Sequence, residues 1–241
     1  MPKLIDVSHT IEHGMITYKG LPAPVISDHL SREQSKAIYD PGTEFHIGRI
    51  EMVANTGTYL DSPFHRYPHG TDLAGLKLES LANLEGVVAR HIGRGERELE
   101  LVTFPELPAR STDVSRERSI TPADFAHLDI RGKAVLFHTG WDMRWRTEGY
   151  ANGQHPFLTA EAASHLANGG AALVGIDSYN IDDTASGSRP AHSILLARGI
   201  PIVEHLCGLR ELPDSRFRFF AVPVKVKGFS TFPVRAFAVV D

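Results

Sequence analysis

Between residues 134 and 204 the chain alternates short apolar runs with helix punctuation, and this alternation limits the fold more than any other feature. The runs at 134–137, 173–176 and 200–203 are rich in Val, Ile, Leu and Phe and are bounded by Gly, Pro or Asp, the signature of strands. Thr159 is placed to cap a helix reaching about residue 167, closed by Gly169 and Gly170. Ser188 or Arg189, followed by Pro190, opens another helix through Arg198, with Gly199 as its stop. Strand–helix–strand repetition predicts an α/β domain with some parallel pairing. Further runs at 87–89, 218–224 and 234–240 add strands, and the last two have no helix between them, which favours antiparallel pairing. Thr121-Pro122 starts a shorter helix. The charged, proline-bearing segment 93–118 reads as a surface excursion, and residues 1–241 read as one compact domain without repeats or linkers.

Composition narrows the function classes. With 42% hydrophobic and 22% charged residues the chain is an ordinary globular mixture, and its net charge of −4 gives no general attraction to nucleic acid. Cys207 is the only cysteine, which excludes a disulfide framework and a cysteine-rich zinc finger. The first dozen residues are polar and charged and no long apolar run occurs, so a cytoplasmic protein without a membrane partner is expected. The glycine-rich loops GxGxxG and GxxxxGK[ST] are absent, so no nucleotide cofactor is expected, and neither GxSxG nor HExxH occurs.

Three places carry candidate chemistry. The segment 55–65 ends in Asp61 and His65, four apart, with Gly57 permitting a positive φ and Pro63 fixing the chain between them. Asp61 can bind a divalent cation and His65 can move a proton, although a turn capped by Asp61 beside a surface His65 fits the same spacing. His192 lies in the first turn of its helix and Glu204 ends the following strand. The helix advances about 10 Å at ~1.5 Å per residue. The strand returns about 13 Å at ~3.3 Å per residue, which brings the two to one edge of the sheet. Asp177 also ends a strand, where it binds a ligand or caps the next loop. His138 reads as a hydrogen-bonded core residue and Cys207 as a small hydrophobe.

The whole chain resembles the cyclase-like metal-dependent hydrolases, the group that includes bacterial kynurenine formamidase and isatin hydrolase. The hallmark H-x-G-T-H-x-D-x-P-x-H is matched by Asn55-Thr-Gly57-Thr58-Tyr59-Leu-Asp61-Ser-Pro63-Phe-His65. Supporting stretches are Asp6-Val-Ser8-His9, His138-Thr-Gly140-Trp141, Val174-Gly-Ile-Asp177, and the segment from Ala191-His192 to Glu204. The resemblance implies a single domain of the swivelling β/β/α type and a homodimer or homotetramer acting on a small molecule. It implies Asp61, His192 and Glu204 as metal ligands and His65 as general base. Asn55 and Tyr59 stand where the family has two histidine ligands of a first metal, so one Zn or Mn ion is expected. Asn55 and Tyr59 then become substrate-binding residues, with Tyr59 donating to an oxyanion. His46 and His205 are candidate replacement ligands. Met15, Tyr18, Phe64, Tyr67 and Trp141 are candidate pocket walls. The expected activity is hydrolysis of a small amide, cyclic amide or lactone. The two replacements leave open a non-hydrolytic binding protein, or a metal-free lyase or isomerase.

Overall fold

The computed structural model describes residues 2–91 and 118–240, so the surface excursion expected at 93–118 lies outside them apart from its last residue. In chain order the strands are Lys3–Asp6 (β1), Val25–Leu30 (β2), Ile47–Glu51 (β3), Tyr59–Asp61 (β4), Leu84–Arg90 (β5), Ser119–Ile120 (β6), Ala134–His138 (β7), Phe157–Leu158 (β8), Leu173–Ile176 (β9), Ile202–Glu204 (β10), Phe217–Phe220 (β11), Thr231–Pro233 (β12) and Phe237–Val240 (β13). Nine of them form one sheet in the order β1-β13-β11-β5-β7-β9-β10-β4-β12. Its centre, β5 to β10, is parallel, and the strands outside it pair antiparallel.

Parallel pairing at the centre follows from helical crossovers. The helix Ala160–Gly169 (α2) starts at the Thr159 cap and ends at Gly170, and Pro190–Ala197 (α3) precedes β10; α1 is the single turn Arg32–Ser35. Central strands are apolar on both faces, as burial on both sides requires. Val135, Phe137, Val174 and Ile176 pack under the helices, while Leu136, Leu173 and Val203 point to a second cluster with Leu60, Leu206 and Phe219.

Two expected strands come out differently. The run 218–224 pairs only as β11, because the Ala221 N–H turns away to the Leu81 carbonyl and Pro223 has no N–H to add to a ladder. The run 234–240 is divided. Val234 donates to the Thr58 carbonyl beside β4 and β12, and only Phe237–Val240 crosses to the other end of the sheet. The helix begun at Thr121 is one 3₁₀ turn, Pro122–Asp124, since Asp124 folds back onto the Thr121 amide and hydroxyl. Among the described residues no helix is long and apolar enough to cross a membrane.

Candidate metal centre and pocket

The site grows from the pairing of β4 with its two neighbours. Tyr59 lies opposite Glu204 of β10, and Asp61 lies opposite Thr231 of β12. Residues two apart on a strand share a face, so Tyr59 and Asp61 project together. Before β4, Gly57 adopts φ +66, where a Cβ would come within 3.0 Å of Ile11. After it, Pro63 opens a 3₁₀ turn that brings His65 back over Asp61, with His65 Nδ1 3.7 Å from Asp61 Oδ1 and 3.0 Å from Thr231 Oγ1. From the helical side, His192 Nε2 is 3.7 Å from both Asp61 Oδ2 and Glu204 Oε1. The helix and the returning strand thus do bring His192 and Glu204 to one edge of the sheet. These groups lie at or beside a cavity of about 550 Å³, whose wall includes Asn55, Tyr59, His65, His192 and Glu204.

Every buried charge here has a reason to stay. Burial alone would raise the Asp61 carboxyl, but the His192 and His65 imidazoles and the Thr231 hydroxyl hold it below its ordinary value. Glu204 is buried and next to Asp61, which push it up to about 7 against the opposing pull of His192. Its Oε2 accepts from the Tyr59 hydroxyl at 2.6 Å and its Oε1 from the Ile181 N–H at 2.7 Å. Burial and the Glu204 and Asp61 charges raise Tyr59 well above the usual phenol, so it is a neutral donor. A phenol has one proton, and Tyr59 gives it to Glu204; contact with a reacting oxygen would require that bond to break. Burial pulls His192 toward neutrality, yet the Asp182 hydrogen bond and the Asp61 and Glu204 carboxylates prevail and push it up to about 10. The cluster demands positive charge.

A divalent cation fits that demand. Asp61 Oδ2 is buried with no hydrogen bond. His192 Nδ1 donates to Asp182 Oδ2 at 2.6 Å, which turns Nε2 toward the two carboxylates. The 3.7 Å spacings are too long for hydrogen bonds. Two ligand atoms each about 2.1 Å from a tetrahedral ion lie roughly 3.4 Å apart, close to what is seen. One donor atom from each of Asp61, His65 and His192 also lies within 4.8 Å of the other two.

Other residues singled out in the sequence fall elsewhere. His46 is exposed beside the β2–β3 hairpin and paired with Asp28 at 2.8 Å. His205 follows Glu204 but faces away at φ +55, with Nδ1 2.7 Å from the Tyr150 hydroxyl in a ring of aromatic side chains. Asp177 caps the loop after β7, accepting from the Thr139 amide and hydroxyl and the Gly140 amide. His138 is buried and 3.0 Å from Arg90. Of the five candidate pocket walls only Tyr18 lines the cavity. Met15 and Trp141 are buried, and Tyr67 donates to the Ser193 carbonyl. Asp182 and Thr231 escaped sequence reasoning. Asp182 left a faint trace, an acid in the loop that leads into a Pro-initiated helix; Thr231 left none.

Comparison with known proteins bears on the whole chain. A kynurenine formamidase of Bacillus cytotoxicus is 27% identical over 237 residues, covering 96% of this chain and 95% of that one. That of Erythrobacter litoralis is 26% identical over 93% of this chain and 88% of its own length. A solved structure described as a potential metal-dependent hydrolase with cyclase activity superposes with a TM-score of 0.74 at 26% identity, covering 100% and 99% of the two chains. Isatin hydrolase A from Labrenzia aggregata shares the fold, with a TM-score of 0.76 at 20% identity over 99% and 94%. The Cyclase family matches residues 5–183, and the chain belongs to that family.

Proposed function

We propose that this chain is a metal-dependent hydrolase that opens the C–N bond of a small amide or cyclic amide, in the manner of an aryl formamidase, with lactones as a related class. The observation that carries the reading is the gathering of Asp61, His65 and His192 donor atoms within 4.8 Å of one another, with Glu204 Oε1 3.7 Å from His192 Nε2 at the cavity wall. The relatives named kynurenine formamidase support the amide class. Asp61, His192 and Glu204 hold one ion, Zn or Mn, which suits a mixed imidazole and carboxylate set. Such an ion polarises a carbonyl and lowers the pKa of water.

The protein's own groups handle the proton. An ionised Asp61 can only accept, so the Thr231 hydroxyl donates its one hydrogen to Asp61 Oδ1. Thr231 Oγ1 must then accept from His65 Nδ1, and in a neutral imidazole so held Nε2 is the nitrogen without a proton, able to take one from the attacking water. Asn55 offers an amide to the substrate from the cavity wall, and Tyr59 holds Glu204 in place. The exposed β2–β3 hairpin, with Ile26, Ile47 and Ile50 open to solvent, supports a homodimer or homotetramer.

The test combines elemental analysis with turnover of formanilide. About one Zn or Mn per chain is expected, absent in Asp61→Ala, with turnover abolished by chelation and restored by that metal. His65→Ala is expected to keep the metal and lower kcat by roughly 10²–10⁴-fold. Turnover that survives exhaustive chelation would overturn the proposal.

A further inference from the structure

A tyrosine hydroxyl carries one hydrogen to donate and accepts through its oxygen. Tyr59 gives its hydrogen to Glu204. The carbonyl donor expected at position 59 must therefore come from elsewhere on the cavity wall. Tyr18, in the loop between β1 and β2, stands on the same wall as Tyr59, His65 and Glu204.

The Tyr18 hydrogen can be located by following one chain of donors. The Asp182 N–H donates to Asn180 Oδ1 at 2.9 Å. A backbone N–H can only donate, so this bond fixes which end of the Asn180 amide is oxygen. Asn180 Nδ2 then faces the Tyr18 hydroxyl, 2.6 Å away. That nitrogen also can only donate, so the Tyr18 oxygen accepts. Among the described residues the hydroxyl makes no other hydrogen bond, which leaves its own hydrogen for an acceptor in the cavity. The ring is held as well. It lies against Tyr179 with centroids 4.4 Å apart and meets His205 edge-on at 5.9 Å. The next residue is tied to the same support, since the Lys19 N–H donates to the Tyr179 hydroxyl at 3.3 Å. Tyr179 and Asn180 are themselves buried. Burial and the nearby Glu204 and Tyr179 raise Tyr18 well above the usual phenol, so it keeps its hydrogen.

A donor fixed before the ligand arrives needs no reorientation when negative charge grows on a carbonyl oxygen. We propose that Tyr18 is a further catalytic residue, whose hydroxyl donates a hydrogen bond to the carbonyl oxygen of the amide as water adds to the carbonyl carbon. No proton leaves Tyr18: the oxygen gains negative charge in the addition and gives it up when the C–N bond breaks. Asn180 is the positioning residue that aims the hydroxyl. The word amide rests on the hydrolase reading, whereas donation to a carbonyl in the cavity rests on the Asp182–Asn180–Tyr18 chain alone.

Tyr18→Phe keeps the ring and removes the hydroxyl. With formanilide it is expected to lower kcat by roughly 10²–10³-fold with little change in KM, the loss that follows removal of one such donor. Thioformanilide presents sulfur, a weak acceptor, and should lose far less. The preference for the oxygen substrate should therefore fall by nearly the same factor as kcat. An unchanged kcat, or an equal loss on both substrates as a merely structural role would give, overturns the inference and leaves the hydrolase standing. Asn180→Asp is a second variant and serves if Tyr18→Phe does not fold. Its carboxylate still accepts from the Asp182 N–H but also takes the Tyr18 hydrogen, so the same loss of oxygen preference is expected with the ring in place. Titration calorimetry with 4-hydroxyacetophenone and 4-ethylphenol reads the donor without turnover, because the two differ only in C=O against CH₂ and neither can be hydrolysed. The unaltered protein should bind the ketone about fivefold more tightly, the scale of one neutral hydrogen bond, and Tyr18→Phe should bind the two alike. Equal binding by the unaltered protein, or a ketone preference that persists in Tyr18→Phe, overturns the inference. A ketone preference lost in Tyr18→Phe, in a protein that turns over neither formanilide nor thioformanilide, sinks the hydrolase and leaves Tyr18 as a carbonyl donor.

Discussion

Thr231 joins Asp61 to His65 through one hydroxyl. It is fully buried, donates to Asp61 and faces His65 Nδ1, so a change at this one hydroxyl alters both neighbours. Thr231→Val keeps the volume and the strand preference but removes the hydroxyl. It is expected to lower kcat by about 10–100-fold with little change in KM, as loss of an orienting partner does. Thr231→Ser should recover most of the rate, and steady-state kinetics on both variants checks this; unchanged kcat in Thr231→Val would break the tautomer argument. Asp61, His65, His192 and Glu204 were legible in the sequence as candidates, because each residue type can do metal or proton chemistry and each lies at a strand or helix end; their roles came from the family resemblance. Thr231 was not. It stands 170 positions from Asp61, and a threonine in a short strand looks the same whether it orients a carboxylate or only packs. The Tyr59–Glu204 bond was hidden for a related reason: the sequence shows both residues but not the β4–β10 register that sets them opposite each other.

At the scale of elements, α3 was readable end to end, because Pro190 and Gly199 bracket it. Its entry was not. The cap residue Arg189 supplies no side-chain cap, and the free amides of Ala191 and His192 are met by Asp182 at 2.7 and 3.1 Å. That carboxylate also accepts a hydrogen bond from His192 Nδ1, so one side chain both starts the helix and aims His192 Nε2 toward Asp61 and Glu204. Asp182→Ala is expected to destabilise the protein by about 0.5–2 kcal/mol, the usual range for a lost cap. It should also weaken Zn or Mn binding by roughly 10–100-fold. Thermal unfolding of the metal-free protein reads the first effect and competition with a chelator reads the second. Intact metal affinity in a destabilised variant would confine Asp182 to capping. The terminal strands show the limit of pattern reading. The run at 234–240, apolar but for Arg235, gives no sign that its start borders β4 while its end pairs with β1, since that division is made by hydrogen bonds to Thr58 and Lys3–Asp6.

At the scale of the molecule, distant segments meet in a buried cluster of rings beneath the site. His9 stacks on Trp145 with centroids 3.9 Å apart, its N–H bonds to Thr58 Oγ1, and Thr58 in turn donates to the His205 carbonyl. His9 Nε2, His155 Nδ1 and His205 Nε2 are all buried without hydrogen-bond partners. Burial lowers His9 to about 4, and burial together with the neighbouring His9 lowers His205 to about 3. In the unfolded chain both return to about 6.5. Below that value the unfolded state binds protons that the native state refuses. Stability is therefore complete above about pH 6.5 and falls as pH drops toward the native values. Each such histidine contributes a slope of about 1.4 kcal/mol per pH unit across that window. His9→Phe keeps a flat ring on Trp145 and the backbone bond to Thr58 while removing one titration. Urea unfolding from pH 8 to pH 4 should then give unchanged dependence on pH above 6.5 and a slope shallower by about that amount below it. Identical slopes in the two proteins would mean that His9 is charged in the native state, and the ring cluster would then not be what ties the amino-terminal segment's stability to pH.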